Sequence, residues 1–286
     1  MKSNNKFNKI GKDVIIYKLI PYLDESGIQL LKTNKFFNKL KNHFCLNKFI
    51  SYSNYILYPN QFKYKKIITD QNIELTLPNS ITHLTFDIYF NQKLEYIPNS
   101  ITHLTLGHCF NQPIAHLPTS ITHLTFGSYF NRSIDHLPNS ITHLHFGNKF
   151  NQNVDHIPNS VTHLILGSYF NQTIDNLPNS ITHLTLDFLF NQKLNHLPNS
   201  IIHLTLGGWY NQPIDQLPNS ITHLHLGYEF NQKIDHLPNS ITHLHLGIAF
   251  NQPINNLPNY ITHLTLCDKK LNKIDRFFYN KNCIIL

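Results

Sequence analysis

From Ile81 to Leu266 the chain repeats every twenty residues without an insertion, and that period decides most of what it can fold into. With columns numbered from the isoleucine, a copy reads Ile-Thr-His-Leu-x-Leu-Gly-x-x-Phe-Asn-Gln-x-Ile-x-x-Leu-Pro-Asn-Ser. Nine copies are complete, starting at Ile81, Ile101, Ile121, Ile141, Val161, Ile181, Ile201, Ile221 and Ile241, and a tenth begins at Ile261 and breaks down at Cys267. So short a unit cannot enclose a core alone. It must bury its apolar columns against its neighbours, as the turns of a solenoid do.

Within a copy, leucines at columns four and six alternate with polar residues at three and five, the period of one short strand. The apolar columns one, ten, fourteen and seventeen follow neither a helical nor a strand period. They all point inward if each copy is one coil. Glycine at column seven suits a bend with positive φ, and Pro-Asn-Ser at columns eighteen to twenty suits the opposite corner. No part of a copy has room for a long helix, so turns or extended chain should form the back. Coils about 4.8 Å apart give a rod or shallow arc on the order of 50 Å long. The rings of column ten, Phe90 to Phe250 with Tyr210 among them, should stack as a spine. The asparagines behind them, Asn91 to Asn251, are placed to bond backbone groups of adjoining coils.

Composition narrows the function. The net charge of +7 invites a nucleic-acid reading, but residues 1–66 carry 13 basic and 3 acidic groups whereas residues 67–266 carry 5 and 11. A basic head precedes an acidic body, and residues 267–286 return to 5 against 2. Nucleic acid is therefore an unlikely partner of the body. Cys45, Cys109, Cys267 and Cys283 do not follow the repeat and form neither a disulfide framework nor a metal-binding pair. The opening "MKSNNKFNKIGKD" lacks the apolar core of a signal peptide, and no run approaches the length of a membrane span. The expectation is an intracellular, cytoplasmic protein with no membrane partner and no cofactor.

The wording "FNQPI…LPNSITHLTLG" resembles the FNIP repeat, known from slime-mould proteins and from giant viruses of amoebae, and related to leucine-rich repeats (LRRs) through its IxxLxL strand. The likeness spans residues 77–266, although these copies are uniformly shorter than the usual FNIP unit. It implies an LRR-like solenoid that binds protein, in the host cell if the chain is viral.

Residues 12–50 read differently. Val14, Ile16, Tyr17, Ile20 and Leu23 fit a helical stripe that Pro21 bends or ends, and Ile28, Leu30, Leu31, Phe36, Phe37 and Leu40 form a second. The stretch "VIIYKLIPYLDESGIQLLKTNKFFNKL" resembles an F-box, the helical motif that clips substrate receptors onto the adaptor of cullin-RING ubiquitin ligases. Lys12-Asp13 stands where the motif usually opens with Leu-Pro. The resemblance implies that Ile16, Ile20, Leu23, Leu31, Phe36 and Leu40 carry adaptor docking or its supporting core. A plain helical cap for the solenoid is the other reading. The expected fold class is thus α+β: a helical head over 1–60, a degenerate coil over 61–80, the solenoid over 81–266 and a cap over 267–286. In that cap Leu271, Ile274, Phe277 and Phe278 would cover the last leucines.

The ten column-three histidines, His83 to His263, face away from the leucines and should line one solvent-facing sheet. Three roles suit them: rings stacked for contact, a proton-sensitive surface, or metal ligands. Zinc needs three or four converging ligands at about 2.0–2.1 Å, which a single row of parallel rings does not offer. If any metal binds, the place is the two-by-two patch His223, His225, His243 and His245, where column five is also histidine. The acids Asp135, Asp155, Asp175, Asp215 and Asp235 read as a solvated rim. Catalysis requires unlike groups converging on one centre, and parallel rows of the same group argue against an enzyme.

Columns eight and nine vary most between copies. Tyr89, Tyr129, Tyr169, Phe188, Trp209 and Tyr228 make them an aromatic ridge beside the histidine face, fit to choose a protein partner. Tolerant loop positions are the bland alternative. The combined expectation is a substrate-recognition subunit of a cullin-RING ligase; the alternative is a scaffolding solenoid with no ligase link.

Overall fold

A computed structural model describes residues 79–267 apart from Glu95, and places the backbone of two earlier strands. Those strands are β1 (Cys45–Ser51) and β2 (Lys63–Thr69). One strand per copy follows: β3 (His83–Phe86), β4 (His103–Thr105), β5 (His123–Thr125), β6 (His143–His145), β7 (His163–Leu166), β8 (His183–Leu186), β9 (His203–Leu206), β10 (His223–Leu226), β11 (His243–Leu246) and β12 (His263–Leu266). All twelve form one parallel sheet in sequence order. The register places each histidine on the next and each leucine on the next, as in His223↔His243 and Leu224↔Leu244. This is a parallel β-solenoid. The helical stripes expected between Val14 and Leu40, within the head over 1–60, and all but Cys267 of the cap expected over 267–286 lie outside the described residues. Among the described residues there is no helix. Strand β1 falls within the range 1–60 read as head, and β2 within the degenerate coil.

Alternation on each strand follows the sequence. Leu104 and Leu106 are buried while His103 and Thr105 are half-exposed, and in every complete copy columns four and six are buried between more open residues at three and five. Columns one, four, six, ten, fourteen and seventeen fill a continuous core from Ile81 to Leu264. The spine forms as expected, with neighbouring column-ten rings stacked at 6.0–6.3 Å from Phe90 to Phe250. Tyr210 sits in this dry column with its hydroxyl unpartnered, and burial pushes its ionisation far above the ordinary tyrosine range.

Five kinds of bond recur between coils, with the Ser100 hydroxyl left unpartnered and Ile202 standing where the other copies have threonine. Strand pairing is the first. The column-twenty serine hydroxyl donates to the column-one carbonyl below, as Ser140 does to Ile121 at 2.6 Å. The asparagine ladder exists: the Asn171 N–H donates to Asn151 Oδ1 at 2.9 Å, and the copies repeat this from Asn91 to Asn251. The column-two threonine hydroxyl donates to the carbonyl one coil back, as Thr142 does to Thr122 at 3.2 Å. The fifth bond runs under the ridge and is taken up below. Together they answer where the coils, with no helix among the described residues, place their buried polar backbone.

The column-seven glycines have another cause than the one expected. None has the positive φ that a glycine bend would show. A Cβ on Gly147 would instead lie 2.4 Å from the carbonyl oxygen of Gly127, and one on Gly127 would lie 1.9 Å from that of Gly107. At these glycines the backbone of the coil before fills the space a Cβ would need, while Asp87, Asp187 and Cys267 hold the same column in three other copies.

Ring spacing also gives the curvature. For copies with the same side-chain conformation, centroid separation equals the local displacement between coils. That displacement is 4.0–4.3 Å along the histidines and 6.0–6.3 Å along the spine. The coils fan out behind the sheet, so the histidine face is the inner, concave side of an arc.

Candidate functional site

The concave face carries ten imidazoles stacked in parallel from His83 to His263. Each ring plane is set by its predecessor in sequence: the threonine hydroxyl lies 2.8–2.9 Å from the histidine Nδ1, as at Thr142–His143 and Thr222–His223. His203 alone follows an isoleucine, Ile202. A threonine hydroxyl that donates to the carbonyl behind it accepts from Nδ1–H, so one proton arrangement satisfies all three groups. The sequence reading missed this pairing, although the Thr-His dipeptide was in plain view.

Burial, and then the repulsion of neighbouring imidazoliums, lowers the proton affinity of His123, His143, His183, His223 and His243 below the ordinary histidine value. Burial does the same to His145, His225 and His245. For these shifted histidines the neutral form is the favoured one near pH 7.

The patch of His223, His225, His243 and His245 does come together. It lies with His203 and His263 along a shallow trough of about 190 Å³. His225 and His245 stack at 3.9 Å, and the Cys267 thiol lies 3.3 Å from His245 Nε2. Parallel rings do not converge, and among the described residues no three histidine, cysteine or acidic side chains are placed to hold a metal ion.

The acidic column is an exposed rim, bonded from coil to coil in three places: His196 to Asp175 at 3.3 Å, Asn176 to Asp155 at 3.1 Å, and Asn256 to Asp235 at 3.2 Å. Each contact joins column sixteen to column fifteen of the coil before as a separate pair, strung along the rim rather than gathered at one centre.

The ridge stands beside the concave face where the sequence places it. Its six aromatics are exposed, from 43% at Phe188 to 79% at Tyr89. The chain beneath them is not slack. The column-nine N–H donates to the column-eight carbonyl one coil back: Tyr129 to His108 at 3.0 Å, Trp209 to Phe188 at 2.8 Å, Glu229 to Gly208 at 2.8 Å. This second rung, continuous from Cys109 to Ala249, was invisible in the sequence because its donors and acceptors are backbone. Side chains interact along it too. His108 meets Tyr129 edge to face at 5.0 Å, Phe188 lies 5.8 Å from Trp209, and the Lys149 ammonium sits 4.0 Å over the Tyr169 ring. The backbone beneath these exposed aromatics is thus tied from coil to coil.

A one-sheet parallel solenoid with stacked leucines and a concave strand face defines an LRR-like repeat protein. The FNIP Repeat family model matches residues 70–109, 110–149, 133–168, 150–188, 170–209, 190–229, 210–247 and 230–269, and the chain belongs to that family. It is also similar to the solved structure of CroV588, described as a novel circular LRR protein, with 42% identity and a TM-score of 0.62. The match covers 78% of this chain and 39% of that one, so the chain spans about two fifths of its neighbour's length. No curated protein matches. Repeat solenoids of this kind are typical of protein-interaction domains and are generally not enzymes. Among the described residues no helix is long and apolar enough to cross a membrane.

Proposed function

We propose that the chain recognises a partner protein through the aromatic ridge and presents it to a cullin-RING ubiquitin ligase through residues 14–40. The observation that carries the first half is the ridge itself: six exposed aromatics on backbone bonded coil to coil. Exposed aromatics are the commonest anchors of protein interfaces, and rigid ones bind with less entropy lost. The concave curvature beside them suits a partner that wraps along several coils. The second half rests on the F-box resemblance, with Ile16, Ile20, Leu23, Leu31, Phe36 and Leu40 as the docking stripe.

The test is the full chain against the purified ligase adaptor, alongside Ile20→Asp and Leu23→Asp. Saturable binding lost in both variants supports the ligase role. Absence of binding by the intact chain retires that role and leaves a scaffolding solenoid. The ridge is tested separately, by comparing the proteins co-purified with the intact chain and with a Tyr129→Ser, Tyr169→Ser variant. A partner set indifferent to that change counts against the ridge.

A further inference from the structure

Phe188, Trp209 and Tyr228 occupy three successive coils of the ridge, and one glycine arranges them. Column eight holds a side chain in every complete copy except at Gly208. A Cβ there would lie 2.5 and 2.6 Å from Cδ2 and Cε2 of Phe188, so the ring leans onto Gly208 and buries it. The Phe188 ring then meets Trp209 at 47° while both remain exposed, and Tyr228 stands on the coil beyond.

The charges around this cluster have one sign. Across columns seven to nine the complete copies carry Asp87, Asp187 and Glu229 against a single base, Lys149. Glu229 is exposed beside Tyr228, whereas the Asp187 carboxylate accepts from the Ser168 hydroxyl of the coil before at 2.7 Å and adds only its charge nearby. Lys149 also shows what the ridge does with a cation: it is already placed over Tyr169. No lysine or arginine of columns seven to nine stands in the three coils of Phe188, Trp209 and Tyr228, although indole is the best ring face for a cation.

We propose that Phe188, Trp209 and Tyr228, with Glu229 beside them, form the anchor for an arginine- or lysine-bearing segment of the partner protein, its cationic head seated over Trp209. The inference rests on the ridge being a partner surface and adds the chemistry of what is recognised. The acidic balance of residues 67–266, 11 against 5, favours the same partner at longer range.

Trp209 is the only tryptophan in the chain, so its fluorescence reports on this cluster alone. The full chain is titrated with a short peptide alternating serine and arginine, and with the same peptide carrying neutral citrulline for arginine. Saturable change with the arginine peptide is expected, about tenfold tighter than with citrulline and weakened by salt. Phe188→Ala and Glu229→Gln should each weaken it several-fold, with circular dichroism confirming that the coils persist. Equal binding of the citrulline peptide would overturn the proposal and leave the ridge an apolar docking surface. Absence of a response to either peptide would also overturn it, as would arginine-peptide binding indifferent to both variants. A ridge that fails outright shows itself differently, as a partner set unchanged by Tyr129→Ser, Tyr169→Ser.

Discussion

The histidine ladder and the phenylalanine spine are both columns of parallel rings, one residue per coil, yet they differ in spacing, burial and charge. The spine is dry, with rings 6.0–6.3 Å apart, whereas the ladder is half-exposed and its rings lie 4.0–4.3 Å apart. The difference teaches that repetition alone does not make a column stabilising. A spine ring fills volume that only its own coil can fill. A ladder ring adds contact at the surface, and withdraws it once its neighbours are protonated.

The largest effect should come from breaking the spine. Phe150→Ala is expected to cost about 3–5 kcal/mol, because the rings above and below are pinned by their own coils and cannot collapse into the void. His143→Gln should cost about 1 kcal/mol or less, since the ring is half-exposed and loses only stacking and one bond. Urea midpoints, with hydrogen exchange of the neighbouring coils, measure both. Equal losses would show that the ladder, too, carries the fold.

Next in size is a contrast between two glycines. Gly147→Ala sets a methyl against backbone that strand pairing holds in place, and about 1–3 kcal/mol should be lost. Gly208→Ala meets only the edge of the Phe188 ring, which can swing out into solvent, so stability should change by about 0.5 kcal/mol or less while Trp209 fluorescence shifts. If both variants unfold alike, the Phe188 ring is pinned rather than resting.

These glycines also mark the limit of what the sequence allowed. The period, the inward columns, the spine, the asparagine ladder and the outward histidines are all properties of one copy repeated, and they can be read from one copy. Glycine at column seven was assigned to a bend because a single copy shows no neighbour; its actual cause is the backbone of the next coil. The ridge rung, the threonine–histidine pairing and the concave side are likewise distances between or within coils that no column of letters records. The six ridge aromatics were legible as variable exposed positions, but the backbone bonds beneath them were not. The docking stripe from Ile16 to Leu40 lies outside the described residues, so its place relative to the coils is no part of this comparison.

The third test separates the ladder from the spine by pH. The shifted ladder histidines bind protons less readily in the fold than the ordinary value of about 6.5 in an unfolded chain. The unfolded state therefore takes up more protons as the pH drops. Stability should be full above pH 6.5 and fall as the pH passes below it, until the folded histidines are protonated as well. A His123→Gln, His143→Gln, His183→Gln variant should show a flatter slope of urea midpoint between pH 7.5 and 5. An unchanged slope would move the acid sensitivity elsewhere, with the rim acids the first alternative.

The smallest effect on stability is expected at the ridge, and its smallness is the point. Tyr228→Ser removes an exposed ring but leaves the bond from the Ala249 N–H to the Tyr228 carbonyl at 2.9 Å, so the urea midpoint should shift by about 0.5 kcal/mol or less. The same change should weaken binding of a ridge partner about tenfold or more, as removal of an anchoring aromatic does. A surface whose backbone is fixed by its own rung is free to change its side chains, as columns eight and nine do while the inward columns repeat. If Tyr228→Ser instead costs as much stability as Gly147→Ala, the exposed aromatics are staples between coils, and variability in those columns reports packing rather than choice of partner.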